Sequence, residues 1–127
     1  MEGKVIGVGG IFFESDSPNE LKKWYKKNLG IDTNQYGALF EFNNTSDQKP
    51  AYLNWSPMQK PVAYFKPSNK PFMINYRVDN IAALLKTLKK NGVDQIGETE
   101  TYSYGKFAWI MDPEKNKIEL WEPVEEA

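Results

Sequence analysis

The side chains that could do chemistry in this chain are carboxylates, cations and aromatic rings, because its 127 residues include no His and no Cys. Without His there is no Ser-His-Asp triad, and the commonest general base and metal ligand is absent. Without Cys, thiol nucleophiles, zinc fingers and disulfides are excluded. No two carboxylates stand at a spacing diagnostic of paired acid–base catalysis. Any chemistry therefore depends on single side chains that the fold brings together.

The net charge and composition indicate which classes of binding partner to expect. The net charge is −1, from 16 basic and 17 acidic residues without a basic stripe, which argues against nucleic acid. No long apolar run follows the N-terminus, so we expect neither a signal peptide nor a membrane span. Aromatic residues make up 14% of the chain, and such rings line ligand clefts as well as cores. Together with the lack of Cys, this composition predicts a cytoplasmic protein.

The first half of the chain predicts a strand, a helix and two short strands. Residues 5–14 are β-branched and aromatic, as in a strand. Ser17 is the predicted N-cap, with Glu20 completing a capping box, and Gly30 is the predicted stop. The predicted strands that follow are 38–42 and 51–55, separated by the polar loop 43–50.

The second half repeats this order after a predicted linker at 59–71, which is rich in Pro, Lys and Asn. Asn80 is the predicted N-cap of a second helix that ends at Gly92. Its predicted strands are 73–78, a short edge strand 94–96, 106–111 and 117–121, with a tight turn at 112–116.

An internal repeat supports this reading. The aligned segments are 10–17 with 73–80, 37–40 with 105–108, 53–57 with 119–123, and the helix ends Gly30 with Gly92. Four matches in the same order indicate duplicated units. The predicted fold is therefore α+β, with two βαβββ modules in tandem that form a curved mixed sheet around a cleft. The modules span residues 1–60 and 72–127, joined by the linker 61–71.

Several segments also resemble the vicinal-oxygen-chelate (glyoxalase/bleomycin resistance/dioxygenase) superfamily, in particular its small stand-alone members. The segments are 9–13, Trp24-Tyr25, Leu29-Gly30, 78–85 and 112–123. The last is similar to the family's Asp-Pro-x-Gly-Asn followed by Glu-Leu, but Lys115 stands where the family often has Gly. If that position needs a left-handed backbone, Lys115 costs about 1 kcal/mol. The resemblance also implies a homodimer.

The resemblance implies a metal site that this chain does not complete. Through the repeat, the family's four ligand positions fall on Gly10, Leu53, Met73 and Glu119. Only Glu119 can bind a hard cation, whereas a catalytic metal needs about three protein ligands. We therefore expect no metal and no cofactor.

The same alignment, with strand alternation, predicts which side chains face the cleft. Those facing it are Phe12, Glu14, Trp55, Asn75, Arg77, Glu119 and Trp121, and Tyr104 lies on a loop at its mouth. Those facing the helices are Ile11, Phe13, Ile74, Tyr76, Val78, Ile118 and Leu120. A face that mixes aromatic and charged side chains is typical of a small-molecule pocket.

The roles of these residues allow more than one interpretation. Glu119 either pairs with Arg77 as a structural contact or faces a ligand as a free carboxylate. Arg77 is a clamp within the fold or an anchor for a ligand carboxylate or phosphate. Trp55 and Trp121 either pack or stack on a flat ligand.

Three functions follow. The first is a metal-free protein that binds a small aromatic or cationic molecule. The second is a metal-independent lyase or isomerase in which Glu119 is the catalytic general base and Arg77 stabilises an anion. A metal-dependent glyoxalase or dioxygenase ranks third.

Overall fold

The computed structural model describes residues 3–42 and 51–124 of the chain. These residues form one mixed sheet of seven strands with two helices. The strands are β1 (Val5–Ser15), β2 (Ala38–Phe42), β3 (Ala51–Gln59), β4 (Phe72–Val78), β5 (Glu100–Tyr102), β6 (Gly105–Met111) and β7 (Lys117–Pro123). The helices are α1 (Pro18–Leu29) and α2 (Ile81–Lys90).

The strand order β2-β3-β1-β4-β7-β6-β5 is symmetric about its centre. In the first module β1 runs parallel to β3, and in the second β4 runs parallel to β7. The antiparallel pairing of β1 with β4 joins the two modules. This arrangement confirms the predicted tandem α+β fold.

The helix ends follow the local sequence in most respects. α1 ends where Gly30 adopts the left-handed conformation, with φ of 70°, as predicted. The Asn80 side chain caps α2 by accepting from the backbone N–H of Ala83 at 3.0 Å. The predicted capping box of α1 is wrong, because the Ser17 side chain makes no capping hydrogen bond. The backbone N–H of Ser17 instead donates to the Ser15 hydroxyl at 3.2 Å.

Two apolar clusters lie on opposite faces of the sheet. On the convex face α2 packs over Val78, Ala108, Ile110 and Leu120, with Tyr76 and Ile118 beside them. On the concave face Val62, Phe65, Met73 and Trp109 form the second cluster. The segment predicted as a linker supplies two of these residues and contains a short 3-10 helix, Ala63–Phe65. Because Phe65 is only 1% exposed, this segment is an integral part of the concave core.

Two of the predicted strands differ from the structure, one in position and one in length. Residues 94–96 are not a strand; Gln95 forms only an isolated bridge to Ile110. The edge strand is β5 instead, and β3 continues to Gln59. Lys115 in the turn after β6 has φ of 67°, so the condition under which Lys costs energy at this position is met. The loop 43–50 lies outside the described residues.

None of the helices in the described ranges has the length and apolar character required to cross a membrane.

Candidate functional site: a concave cleft around Glu119

A cavity of about 260 Å³ lies on the concave face where the two modules meet. β1, β3, β4 and β7 each contribute side chains to it, so the duplicated topology creates the space. Its lining residues are Gly9, Phe12, Leu39, Tyr52, Asn54, Asn75, Phe107, Glu119 and Trp121. A mostly apolar wall with a few polar groups is the usual make-up of a ligand pocket.

Glu119 is the one carboxyl group among the described residues that line this cavity, and it is only 4% exposed. It lies opposite Asn75 in the register of β4 and β7. The Asn75 amide Nδ2 donates to Glu119 Oε1 at 2.7 Å. A buried carboxylate requires such donors, because its desolvation is otherwise costly.

The second oxygen of Glu119 accepts from two more donors. The indole Nε1 of Trp109 donates to Oε2 at 3.0 Å, and the Tyr64 hydroxyl donates to the same atom. Trp109 belongs to β6, and Tyr64 to the short 3-10 helix between the modules. Three neutral donors from three elements therefore fix the orientation of the carboxylate.

Tyr64 and Lys117 extend this network along the concave face. Burial and the Glu119 charge raise the pKa of the Tyr64 phenol above its ordinary value of 10.0, so it remains a proton donor. The Lys117 ammonium donates to the Tyr64 carbonyl at 2.6 Å and lies 4.9 Å from the Tyr64 ring centroid. Burial lowers the pKa of Lys117, and the Glu119 charge opposes that effect.

Gly9 leaves the space that Asn75 and Trp121 occupy. A Cβ atom at Gly9 would lie 2.9 Å from a Trp121 ring carbon and closer still to Asn75 Oδ1. Asn75 Oδ1 and Trp121 Nε1 are both buried, and neither has a hydrogen-bond partner among the described residues. Trp121 Nε1 lies 2.6 Å from the Cβ position of a second glycine, Gly105. The two polar atoms without partners therefore lie against the backbone of Gly9 and Gly105. Side chains at these two glycines would not fit, so the close packing of the cleft depends on them.

Aromatic rings continue from the cavity to the surface. Phe107 and Trp121, both in the cavity wall, stack with an interplanar angle of 10°. Tyr102 and Tyr104 stack at 3° and both meet the Phe107 ring edge to face. Tyr104 is 62% exposed. The mouth of the cleft is therefore an aromatic surface.

The structure brings together some of the predicted site residues. Phe12, Asn75, Glu119 and Trp121 line the cavity, as the prediction placed them on the cleft face. Tyr104 does not line it but contacts Phe107, which does.

Glu14 and Arg77 lie elsewhere. Glu14 accepts from the backbone N–H of Val62 at 3.3 Å and so holds the segment between the modules. Arg77 is 3% exposed on β4, opposite Trp121 in the register, and is not in the wall of the cavity.

The prediction for Trp55 is wrong, because β3 presents the opposite set of residues to the cleft. The Trp55 ring packs against Phe13 at 5.5 Å and against Tyr25 of α1 at 4.7 Å, on the convex face. Asn54 lies opposite Gly10 in the pairing of β3 with β1, and it lines the cavity. The repeat alignment was displaced by one residue in this strand, which moves every side chain to the other face.

The strand register also differs from the four positions that the repeat predicted, by one residue for Leu53 and by two for Met73. Gly10 pairs with Asn54 and with Asn75, and Asn75 pairs with Glu119, so Asn54 and Asn75 stand where Leu53 and Met73 were predicted. Met73 is fully buried in the concave cluster beside Trp109.

The residues that sequence reasoning missed are Tyr64, Trp109, Asn54 and Lys117. Alternation in β7 could have found Lys117, which lies two residues from Glu119, and alternation in β6 could have found Trp109 beside Phe107. No local signal places Tyr64, which reaches Glu119 only through the fold of the segment between the modules.

The donor set does not fit a catalytic metal. Among the described residues no group of three or more His, Cys, Asp or Glu side chains lies together. Glu119 is the one carboxylate among the described residues of the cavity wall, and its oxygens already accept from nitrogen and hydroxyl donors, which a cation would have to displace.

Comparisons with known proteins concern the fold. The chain matches no protein-family model and no curated protein. A structure of a methylmalonyl-CoA epimerase variant from Streptomyces coelicolor, in complex with 2-nitronate-propionyl-CoA, has a TM-score of 0.67 at 15% identity, with 96% of this chain and 100% of that chain covered. The structure of methylmalonyl-CoA epimerase from Mycobacterium tuberculosis has a TM-score of 0.59 at 16% identity, with 95% of this chain and 90% of that chain covered.

A glyoxalase/bleomycin resistance protein/dioxygenase superfamily member from Vibrio splendidus 12B01 is also similar. Its TM-score is 0.57 at 10% identity, with 94% of this chain and 98% of that chain covered. Together with the duplicated strand order, these similarities show that the chain has the vicinal-oxygen-chelate fold.

Proposed function

We propose that the concave cleft binds a small, flat organic molecule without a metal and without converting it. The observation that carries this proposal is the Glu119 carboxylate, held in place by three neutral donors in the wall of an aromatic cavity. A cavity of about 260 Å³ accommodates a ligand of two or three fused or linked rings.

The ligand places an N–H donor or a positive charge on Glu119. Among the described residues Glu119 Oε1 accepts one hydrogen bond, from Asn75, so it retains acceptor capacity. No cation within salt-bridge distance neutralises Glu119 in the described part of the chain. Phe107 and Trp121 provide flat faces on which an aromatic body or a cation is favourable.

A metal-independent enzyme is the second candidate, supported by the epimerase activity that two of the structural neighbours carry in their names. It ranks lower because Arg77, the proposed anion stabiliser, is not in the cavity wall that contains Glu119. Incubation with methylmalonyl-CoA in D₂O tests it. Deuterium incorporation above the rate without protein, abolished in Glu119→Gln, would favour the enzyme.

The binding proposal is tested by fluorescence titration with N-phenylnaphthylamine, a neutral aromatic dye that carries one N–H donor. We expect saturable binding and a loss of about tenfold in affinity in Glu119→Gln, since a hydrogen bond to a charged acceptor is replaced by a neutral one. Glu98→Gln is the matched control, because Glu98 is exposed and outside the cavity wall. Equal affinity in all three proteins would contradict the role of Glu119.

We also propose that the chain forms a homodimer. Large apolar side chains are exposed on and beside the first module, among them Leu39 at 62%, Leu29 at 60% and Trp24 at 54%. Such a surface favours association. Light scattering in solution would show twice the chain mass of 14.6 kDa, and Leu39→Glu should lower it to one chain mass. A wild-type mass of one chain would contradict the dimer.

A further inference from the structure

A second cavity, of about 520 Å³, adjoins the cleft. It lies between the start of α1, the loop before β2 and the end of β3. Its lining residues are Phe12, Pro18, Asn19, Lys22, Gln35, Tyr36, Asn54, Ser56, Pro57, Met58 and Gln59. Phe12 and Asn54 also line the cleft cavity, so the two spaces share a wall. The two cavities are therefore neighbours, and a ligand that reaches past the Phe12 and Asn54 side chains would occupy both.

The lining of this second cavity mixes apolar and polar side chains, and its described residues carry charge of one sign. Among the described residues of the wall, Lys22 is the one charged residue and none is Asp or Glu. Asn19, Gln35 and Gln59 add amide groups that can donate hydrogen bonds. This composition contrasts with the cleft cavity, where the charged residue is Glu119.

Lys22 is positioned by the backbone of the loop that forms the wall. Its ammonium donates to the carbonyl oxygens of Asn34 at 3.3 Å and Gln35 at 3.4 Å. An ammonium has three donors, so one remains for a ligand. These two contacts therefore hold the Lys22 ammonium at the wall of the cavity.

Ser56 is a second, independent indication of a ligand. It lies nine-tenths buried in the cavity wall. Its hydroxyl takes part in no hydrogen bond among the described residues. The hydroxyl oxygen is not one of the side-chain atoms that are fully enclosed without a partner, so it is accessible and can donate to a ligand in the cavity.

The start of α1 adds donors on the same wall. The Ser17 side chain leaves the first turn uncapped, and Pro18 and Asn19 line the cavity. Unsatisfied N–H groups and the positive end of the helix dipole favour an anion at this place.

We propose that this second cavity binds the anionic group, a sulfonate, phosphate or carboxylate, of a ligand whose flat body occupies the cleft cavity. Lys22 supplies the charge, and Ser56 supplies a hydroxyl donor. This inference rests on the proposed function, because that proposal places the flat body of the ligand in the cleft cavity. It adds that the ligand is amphipathic, with its acidic group on the side of α1.

A pair of dyes that differ only in the anion tests this inference. Anilinonaphthalene sulfonate is the neutral dye N-phenylnaphthylamine with a sulfonate added to the naphthalene ring. We expect the sulfonated dye to bind about fivefold more tightly. Lys22→Gln and Ser56→Ala should each reduce that advantage and leave the affinity for the neutral dye unchanged. Lys27→Gln, an exposed position on the same helix, is the matched control and should change neither affinity.

The outcomes separate the two proposals. Saturable binding of the neutral dye with no advantage for the sulfonate, or an equal loss in Lys22→Gln and Lys27→Gln, would overturn the anionic site and leave the cleft proposal standing. Failure of the neutral dye to bind would overturn the cleft proposal. In that case, saturable binding of the sulfonated dye that depends on Lys22 would still support the anionic site, and its absence would overturn it.

Discussion

Asn75 and Glu119 lie opposite each other on parallel strands, and the amide of one donates to the carboxylate of the other at 2.7 Å. The equivalent pair in the first module is Gly10 and Asn54, paired in the same manner between β1 and β3. The repeat therefore places two amides and one carboxylate at the centre of the sheet. Only the second module supplies a charge there.

Gly9→Ala should destabilise the fold and disrupt the cleft. The added Cβ would meet Asn75 Oδ1 and a ring carbon of Trp121 at 2.9 Å, and both side chains are held in the sheet. Overpacking of this kind costs about 1–3 kcal/mol of unfolding free energy. Urea denaturation measures this cost. Gly7→Ala is the matched control, because nothing lies within 4 Å of its Cβ position. An equal effect in both variants would contradict this account of Gly9.

Glu119→Gln should lower the unfolding free energy by about 1–2 kcal/mol, in addition to its effect on binding. The Gln amide group would face donors from Asn75, Trp109 and Tyr64, which leaves a buried donor unsatisfied. Chemical denaturation of this variant and of Glu98→Gln gives the comparison. A neutral effect on stability would mean that the three donors are not needed to hold Glu119.

Lys115→Gly should stabilise the protein by up to about 1 kcal/mol. Lys115 has φ of 67°, a region that costs a side-chain-bearing residue energy and glycine almost none. The measurement is the urea midpoint at unchanged slope. Lys115→Ala is the control, because it removes the same charge without relieving the backbone and should give no gain. An equal gain in both would assign the effect to charge.

Tyr64→Phe should change how stability depends on alkaline pH. The folded-state pKa of Tyr64 is raised above 10.0, chiefly by burial and also by the Glu119 charge and hydrogen bond. The folded protein therefore keeps the phenol proton where the unfolded chain loses it. This contribution is complete below about pH 10 and is lost as the pH rises further.

Denaturation between pH 8 and about 11 measures this contribution. Wild type should lose stability above about pH 10, and Tyr64→Phe should lose less. The lowered pKa of Lys117 acts in the opposite direction below 10.5 and is common to both proteins, since its acceptor is the Tyr64 backbone carbonyl. Parallel pH profiles in the two proteins would contradict the buried Tyr64–Glu119 contact.

The sequence predicted the features that depend on neighbours along the chain. Helical periodicity, glycine at the end of α1 and the Asn80 cap all act within one or two turns. The turn motif at 112–116 raised the question of a left-handed residue at Lys115, which the φ of 67° answers. The repeat predicted the order and duplication of the strands.

The features that failed depend on contacts across the sheet. The pairing of Asn54 with Gly10 determines which side chains of β3 point into the cleft. The repeat alignment was displaced by one residue in this strand, so Trp55 was predicted on the cleft face although it packs against Tyr25 on the opposite face. Tyr64 reaches Glu119 across 55 positions in the chain, from a segment that composition marks only as a linker. This contact leaves no periodic signal, so Tyr64 could not be predicted, whereas Glu119 and Asn75 were predicted and Trp109 could have been found from strand alternation.

The most direct test of the cleft uses the indole N–H signals of Trp24, Trp55, Trp109 and Trp121 in a ¹H–¹⁵N spectrum during titration with N-phenylnaphthylamine. Trp121 lines the cavity and Trp109 donates to Glu119, whereas Trp55 packs on the convex face against Tyr25. We expect saturable shifts of the Trp121 and Trp109 signals, with the Trp24 and Trp55 signals unchanged. Shifts confined to Trp24 or Trp55, or no shift at all, would contradict it.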